Sequence, residues 1–259
     1  MANTVALKKG APSVRDLVSA EEWQVRVDLA ACYRLVAMYG WTDMIFTHLS
    51  ARVPNTDHNF LINPYGRLFD EITASSLVKV DLEGRIIMES EYSINPAGFT
   101  IHSAVHAARD DAHCVMHLHT DQGVAVSAQK HGLLPLSQTA MAVIEDVAYH
   151  DFEGIALNLD ERERLVNDIG TKNLMILRNH GTLTVGESVK DAFLRMFFLE
   201  RACSMQIQAL SAGLDNVHWA TDDARETTAR QGKGITAVAG LAWDGLLRKL
   251  DRMDPSFRD

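Results

Sequence analysis

Cys114-Val115-Met116-His117-Leu118-His119-Thr120 is an apolar run interrupted by two imidazoles one residue apart. Side chains on a strand alternate between its two faces, so His117 and His119 leave the same face with Cα atoms about 6–7 Å apart. Two neutral imidazoles placed in this way can share one divalent cation. Such an ion takes three or four ligands. A further donor stands in Arg178-Asn179-His180-Gly181, where His180 follows the apolar run 174–177 and precedes a glycine suited to a tight turn. The bland alternative is three ordinary strand and turn histidines satisfied by backbone hydrogen bonds. A second strand-end histidine shifts the balance toward a metal site.

Outward from this stretch the pattern alternates between helix and strand periods. Toward the N-terminus, Ser19-Ala20-Glu21-Glu22 fits a capping box, and Trp23, Val27, Ala31, Leu35 and Met38 recur at helical spacing until Gly40. Residues 46–53 and 60–63 read as strands, and residues 76–81 and 86–88 as a hairpin about a Gly84 turn. From Thr100 the period is helical again, with Ile101, Val105 and Ala108 on one side and His102 and His106 on an adjacent one. After the His117 strand come a small-residue helix over 122–129, a mixed stretch to Asp151, a helix over 161–169, and a strand-turn-strand unit with His180 at its corner. Ser188 then caps a long helix whose Ala192, Met196, Leu199, Cys203, Ile207 and Leu210 form one stripe. This order predicts an α/β protein with an antiparallel-centred sheet and helices packed around it.

Composition narrows the function. Nearly half of the 259 residues are apolar, 47%, enough for a sizeable core. The 25 Lys and Arg against 34 Asp and Glu leave a net charge of −9, which argues against nucleic acid or an anionic membrane as partner and for a small-molecule substrate. Three cysteines in apolar surroundings suit buried thiols in a reducing compartment. With no apolar segment of secretory or membrane-spanning type, a soluble cytoplasmic protein is expected. Residues 1–18 are expected to be a flexible arm, and residues 214–259 a helical extension packed on the same domain or on a neighbour. Gly232-Lys233-Gly234-Ile235-Thr236-Ala237 is formally a G-x-G-x-x-A, but it follows a charged helical stretch instead of a strand, so no dinucleotide is expected there.

His117-Leu118-His119-Thr120, about sixty residues before Asn179-His180-Gly181 and followed by a capped long helix, resembles the class II aldolase/adducin family over residues 19–213. The resemblance implies a three-layer αβα fold with a central, mainly antiparallel sheet flanked by helices. It implies a homo-oligomer, usually a tetramer with sites between subunits. It also implies that His117, His119 and His180 hold a divalent metal, zinc being the expected ion and manganese, cobalt or iron the alternatives.

The departures from the family pattern are informative as well. Where family aldolases carry a catalytic acidic residue, four positions before His102, this chain has Gly98. Where they cradle a phosphate, it has Thr47-His48-Leu49-Ser50, Tyr65-Gly66 and Pro96-Ala97. The stretches 60–66, 72–80, 97–104, 147–151 and 177–181 look like the adducin head instead. These readings imply a metal-dependent lyase, aldolase or decarboxylase, on a small unphosphorylated oxyacid or carbonyl compound. Glu71, His102 or His150 would be the replacement acid/base, or His102 a fourth ligand. The alternative is a noncatalytic adducin-head-like interaction module with a vestigial or structural metal site.

Overall fold

The computed structural model describes residues 13–154 and 160–259. Residues 1–12 of the expected arm therefore lie outside the described part. Within the rest of that stretch Val14–Leu17 form one helical turn, α1. Helix α2 follows (Ala20–Met38), with the Ser19 hydroxyl accepting the Glu22 N–H at its start, while the Glu22 carboxylate pairs with Arg26 and Lys79 instead of closing the capping box. Then come β1 (His48–Arg52), β2 (Phe60–Ile62), β3 (Val78–Val80), α3 (Pro96–Ala108), β4 (Cys114–Leu118), α4 (Asp121–Ser127), α5 (Gln138–Val143) and β5 (Val147–His150). The chain continues with α6 (Glu161–Ile169), β6 (Leu174–Leu177), β7 (Gly181–Gly186), α7 (Val189–Leu210), α8 (Asp222–Gly232) and α9 (Ala239–Met253).

The seven strands form one sheet in the order β3-β2-β1-β4-β7-β6-β5, antiparallel at every step except β5 with β6. Strand residues alternate between two helical layers. Leu49 and Ala51 of β1 and Cys114, Met116 and Leu118 of β4 join the apolar stripes of α2 and α7 in the largest core. Val115, Leu183, Val185, Met175 and Leu177 face the other way and pack with Ile101 and Val105 of α3 and with Leu165 and Ile169 of α6. This is the three-layer αβα arrangement, with the mainly antiparallel sheet in the middle.

Two local expectations change. The second arm of the 76–88 hairpin is reduced to a bridge between Val80 and Ile86, framed by the Ile87 N–H on the Lys79 carbonyl and the Asp81 N–H on the Arg85 carbonyl. The mixed stretch before Asp151 holds α5 and β5; so short a strand, buried between α6 and β6, carries no alternation to betray it. The G-x-G-x-x-A run spans the end of α8 and a 3-10 turn, with no strand before it. Residues Trp243, Leu250 and Phe257 of the C-terminal segment lie in the same core as α2.

Two buried polar side chains of α2 tie that helix to the sheet and its loops. Arg26, wholly buried, pairs with Glu22 at 3.0 Å and donates to the carbonyls of Ala74 and Leu77. The Tyr33 hydroxyl accepts the Leu49 N–H at 2.8 Å and has the Leu49 carbonyl and Asn63 Oδ1 within donating reach, which fixes α2 over β1 and β2. Replacing Tyr33 by Phe leaves buried groups of two strands without that partner, a loss of about 1–3 kcal/mol. Urea denaturation of Tyr33→Phe against wild type measures it, and an unchanged midpoint would show that this hydroxyl is dispensable.

Candidate metal centre

The site lies at the C-terminal end of β4, on the face of the sheet that α3 covers. His117 stands opposite His48 of β1 and Leu183 of β7 in one row across three strands. His119 follows just beyond the strand end, and His180 sits in the turn between β6 and β7. The three rings lie with centroids 4.7 to 4.8 Å apart, and one ligand atom of each is within 4.8 Å of the others. The turn that delivers His180 differs from expectation. Its left-handed residue is Asn179, at φ 57°, a conformation asparagine tolerates. Gly181 is needed for another reason: a side chain there would collide with the Leu118 carbonyl of the adjacent strand.

Hydrogen bonds at the far side of two rings fix their tautomers. His117 Nδ1 is 3.0 Å from the Thr182 carbonyl, and His119 Nδ1 is 3.0 Å from Asp43 Oδ2. Neither partner oxygen carries a proton to give, so both Nδ1 atoms donate, and in the neutral rings both Nε2 atoms carry lone pairs. These Nε2 atoms are 2.9 Å apart. Two lone pairs at that separation repel, and a cation in front of them turns the repulsion into shared coordination. Burial first, then His180 and His119, hold His117 well below the usual imidazole range, and burial with His119 and His150 lowers His180 to about 4. Neutral imidazole is the ligand form. Three imidazoles with a carboxylate and a carbonyl behind them fit a divalent ion such as zinc with one coordination position open.

A cavity of about 240 Å³ opens onto the three histidines. Phe46, Ile101 and Phe152 give it apolar walls, and Thr47, His48 and Asn95 add polar groups. Gly98, in the first turn of α3, packs directly on the His48 ring, which fills the space a side chain at position 98 would take. His48 is 5% exposed, neither ring nitrogen has a hydrogen-bond partner, and burial, with His119 nearby, lowers it to about 3.

The candidate acid/base residues go elsewhere. Glu71 ends a 3-10 turn beside α2, exposed, its carboxylate accepting the Leu68 N–H at 2.8 Å; the turn's need for a cap holds it away from the cavity. His102 is fully buried, its Nδ1 bound to Ser50 Oγ at 2.6 Å, and it lies outside the group formed by His117, His119 and His180. His150 is clamped between Asp168 at 2.7 Å and Glu161 at 3.3 Å, joining β5 to α6. Sequence reasoning missed Asp43 and underused His48. Asp43 had no pattern to mark it, whereas His48 was legible as an imidazole at a polar subsite beside a vacated position 98.

The chain matches the model of the Class II Aldolase and Adducin N-terminal domain over residues 27–207 and belongs to that family. It is 64% identical over 248 residues to a protein of Caulobacter vibrioides named as an aldolase class 2 protein, covering 95% of this chain and 96% of that one. It is 42% identical over 244 residues to alpha-adducin of Mus musculus, covering 88% of this chain and 33% of the adducin. The structure superposes on L-fuculose 1-phosphate aldolase from Glaciozyma antarctica with TM-score 0.81 at 27% identity, over 93% of this chain and 94% of the other.

Behind the histidines lies a buried carboxylate. Glu200 of α7, 3% exposed, accepts the hydroxyl protons of Thr182, at 2.6 Å, and of Thr120. Thr182 also offers its carbonyl to His117, so α7 braces the centre through one residue. Burial raises the Glu200 carboxyl above its ordinary 4.5, against the downward pull of the two hydroxyls. A raised folded-state value means the native state holds its proton longer than the unfolded chain does. Stability from this group is therefore full below 4.5 and declines as pH rises through the raised value. Glu200→Gln removes that dependence. Urea unfolding of both proteins in chelator at pH 4.5 and pH 7.5 should show the variant gaining on wild type at the higher pH, and a gap that does not move would exclude the raised carboxyl.

Proposed function

We propose that this chain is a divalent-metal-dependent lyase, of aldolase or decarboxylase type, acting on a small unphosphorylated oxyacid or carbonyl compound. In this reading His117, His119 and His180 hold the ion, with zinc the expected metal. The observation that carries it is the convergence of three imidazoles, two of them with Nδ1 tied to acceptors so that their Nε2 lone pairs meet. A bound divalent ion supplies a Lewis acid for a carbonyl or enolate oxygen. The rest falls to the chain: Asp43 and the Thr182 carbonyl orient His119 and His117, and Phe46, Ile101 and Phe152 limit water around the reacting oxygen.

The lining also bears on the substrate. Among the described residues around the cavity no Lys or Arg is present, and the one carboxylate, Asp43, is engaged with His119. Each charge-assisted hydrogen bond to a phosphate contributes roughly 1.5–3 kcal/mol, so a pocket lacking several binds a phosphorylated sugar weakly by orders of magnitude. The phosphate ester named for the Glaciozyma enzyme is accordingly not carried over. Gly98 favours decarboxylation over aldol cleavage, since the latter must remove a hydroxyl proton and the former needs an electron sink and a later proton donor. The half-exposed Phe46 and Phe152 at the cavity suit a homo-oligomer, a tetramer by family resemblance, that covers them. A second reading, a noncatalytic module like the adducin head, is favoured by the glycine at position 98 and the likeness to alpha-adducin.

Metal content separates these readings first. Wild-type protein loaded with zinc or manganese and dialysed should retain one ion per chain by elemental analysis, and His117→Ala and His180→Ala should retain little; equal metal in all three would refute the ligand assignment. Metal-loaded protein should leave fuculose, rhamnulose and ribulose phosphates uncleaved. Turnover of any of them near about 10 per second, a typical enzyme rate, would overturn the unphosphorylated-substrate reading.

A further inference from the structure

Beneath α3 runs a chain of buried polar side chains whose hydrogen-bond direction is determined. His106 Nδ1 is 2.8 Å from the Ala112 carbonyl, which only accepts, so Nδ1 donates. Burial, partly offset by that bond, keeps the His106 ring neutral, lowered to about 3, so its Nε2 is a lone pair. The Ser50 hydroxyl, 2.7 Å away, therefore gives its proton to His106. That hydroxyl has no second proton, so at 2.6 Å His102 Nδ1 must donate to it. His102 in turn is neutral because burial dominates, and its Nε2 is left as a buried acceptor without a partner. Every bond in the chain points away from the cavity.

Next to this acceptor stands His48, its ring nearly perpendicular to that of His102, 83°, with centroids 5.9 Å apart. His48 lines the cavity, and both its nitrogens are buried without partners. The residue before it, Thr47, holds φ 69°, a left-handed conformation that a β-branched residue adopts at a cost of about 1–3 kcal/mol. Strain of that kind beside a cavity marks a segment set by its site. A neutral imidazole has one donor and one acceptor nitrogen, and His102 can receive only a donor.

We propose that His48, wedged into the space beside Gly98, turns its N–H toward His102 Nε2 and presents its other nitrogen as a hydrogen-bond acceptor to the ligand in the cavity. This inference rests on the metal-dependent reading above and deepens it. The substrate then carries a hydroxyl next to the oxygen that meets the ion, as a 2-hydroxy acid does. His48 selects it by accepting the hydroxyl proton in a hydrogen bond. Ser50 and His102 act as positioning residues, fixing which nitrogen of His48 faces the cavity.

The test compares glycolate with methoxyacetate, which lacks the hydroxyl proton, by calorimetric titration into zinc-loaded protein. Wild type is expected to prefer glycolate at least tenfold beyond the preference of free zinc. His48→Phe keeps a ring against Gly98 but has no acceptor, and Ser50→Ala cuts the chain behind His102. Both should retain zinc by elemental analysis yet lose the excess preference. Should the first not fold, the second carries the test alone. Zinc retained with an unchanged preference in the folded variants overturns the role of His48. A wild type that takes up no zinc overturns the metal-dependent reading and this inference with it, so the two failures are distinguishable.

Discussion

The candidate centre depends on the pairing of β4 between β1 and β7. Both ladders are antiparallel and in fixed register, so His117 meets His48 on one side and Leu183 on the other. A strand has a side-chain period of two, and a slip of one residue would send every side chain to the opposite face. Met116 and Leu118 would then enter the cavity, and His117 would be buried against the apolar stripe of α2 and α7. The buried apolar faces of Cys114, Met116 and Leu118 forbid that slip, so the core side of the strand sets the chemistry of its other side.

The two faces of the sheet differ in kind. The face under α2 and α7 is an apolar core pinned by Tyr33 and Arg26. The face under α3 combines an apolar cluster with a line of buried imidazoles and a serine. Buried polar groups are tolerated when paired, and from Ala112 to His102 each hydrogen bond is made. The pairing stops at His102 Nε2 and His48, where the cavity begins. Local strain at Thr47 coincides with that break.

The same scaffold carries relatives with different names, an L-fuculose 1-phosphate aldolase and an alpha-adducin of which this chain matches a third. A common backbone with different cavity linings is what separates such proteins. Here Gly98 and His48 act as a pair: the imidazole crosses from β1 into the space that a side chain at position 98 would take. The three converging histidines and the support behind them, Asp43, Thr182 and Glu200, are independent of that exchange.

Much of this was written locally. The alternation around His117 and His119, the capped helices beginning after Ser19 and Ser188, and the strand-turn-strand unit at His180 each follow from short-range period and end signals. Family resemblance gave the three-layer arrangement and matched the histidine set to which spacing had pointed. What lay beyond the sequence were relations between residues distant along the chain. Asp43 supports His119 across 76 positions, Glu200 reaches Thr120 across 80, and His102 is held by Ser50 across 52. β5 was hidden because its burial comes from α6 and β6, not from its own alternation. Glu71 and His150 looked available because a titratable side chain beside a turn carries no mark of its partner. Only packing decides whether a carboxylate caps its own turn, as Glu71 does, or an imidazole is clamped between two acids, as His150 is, since hydrogen bonds form through space and not along the chain.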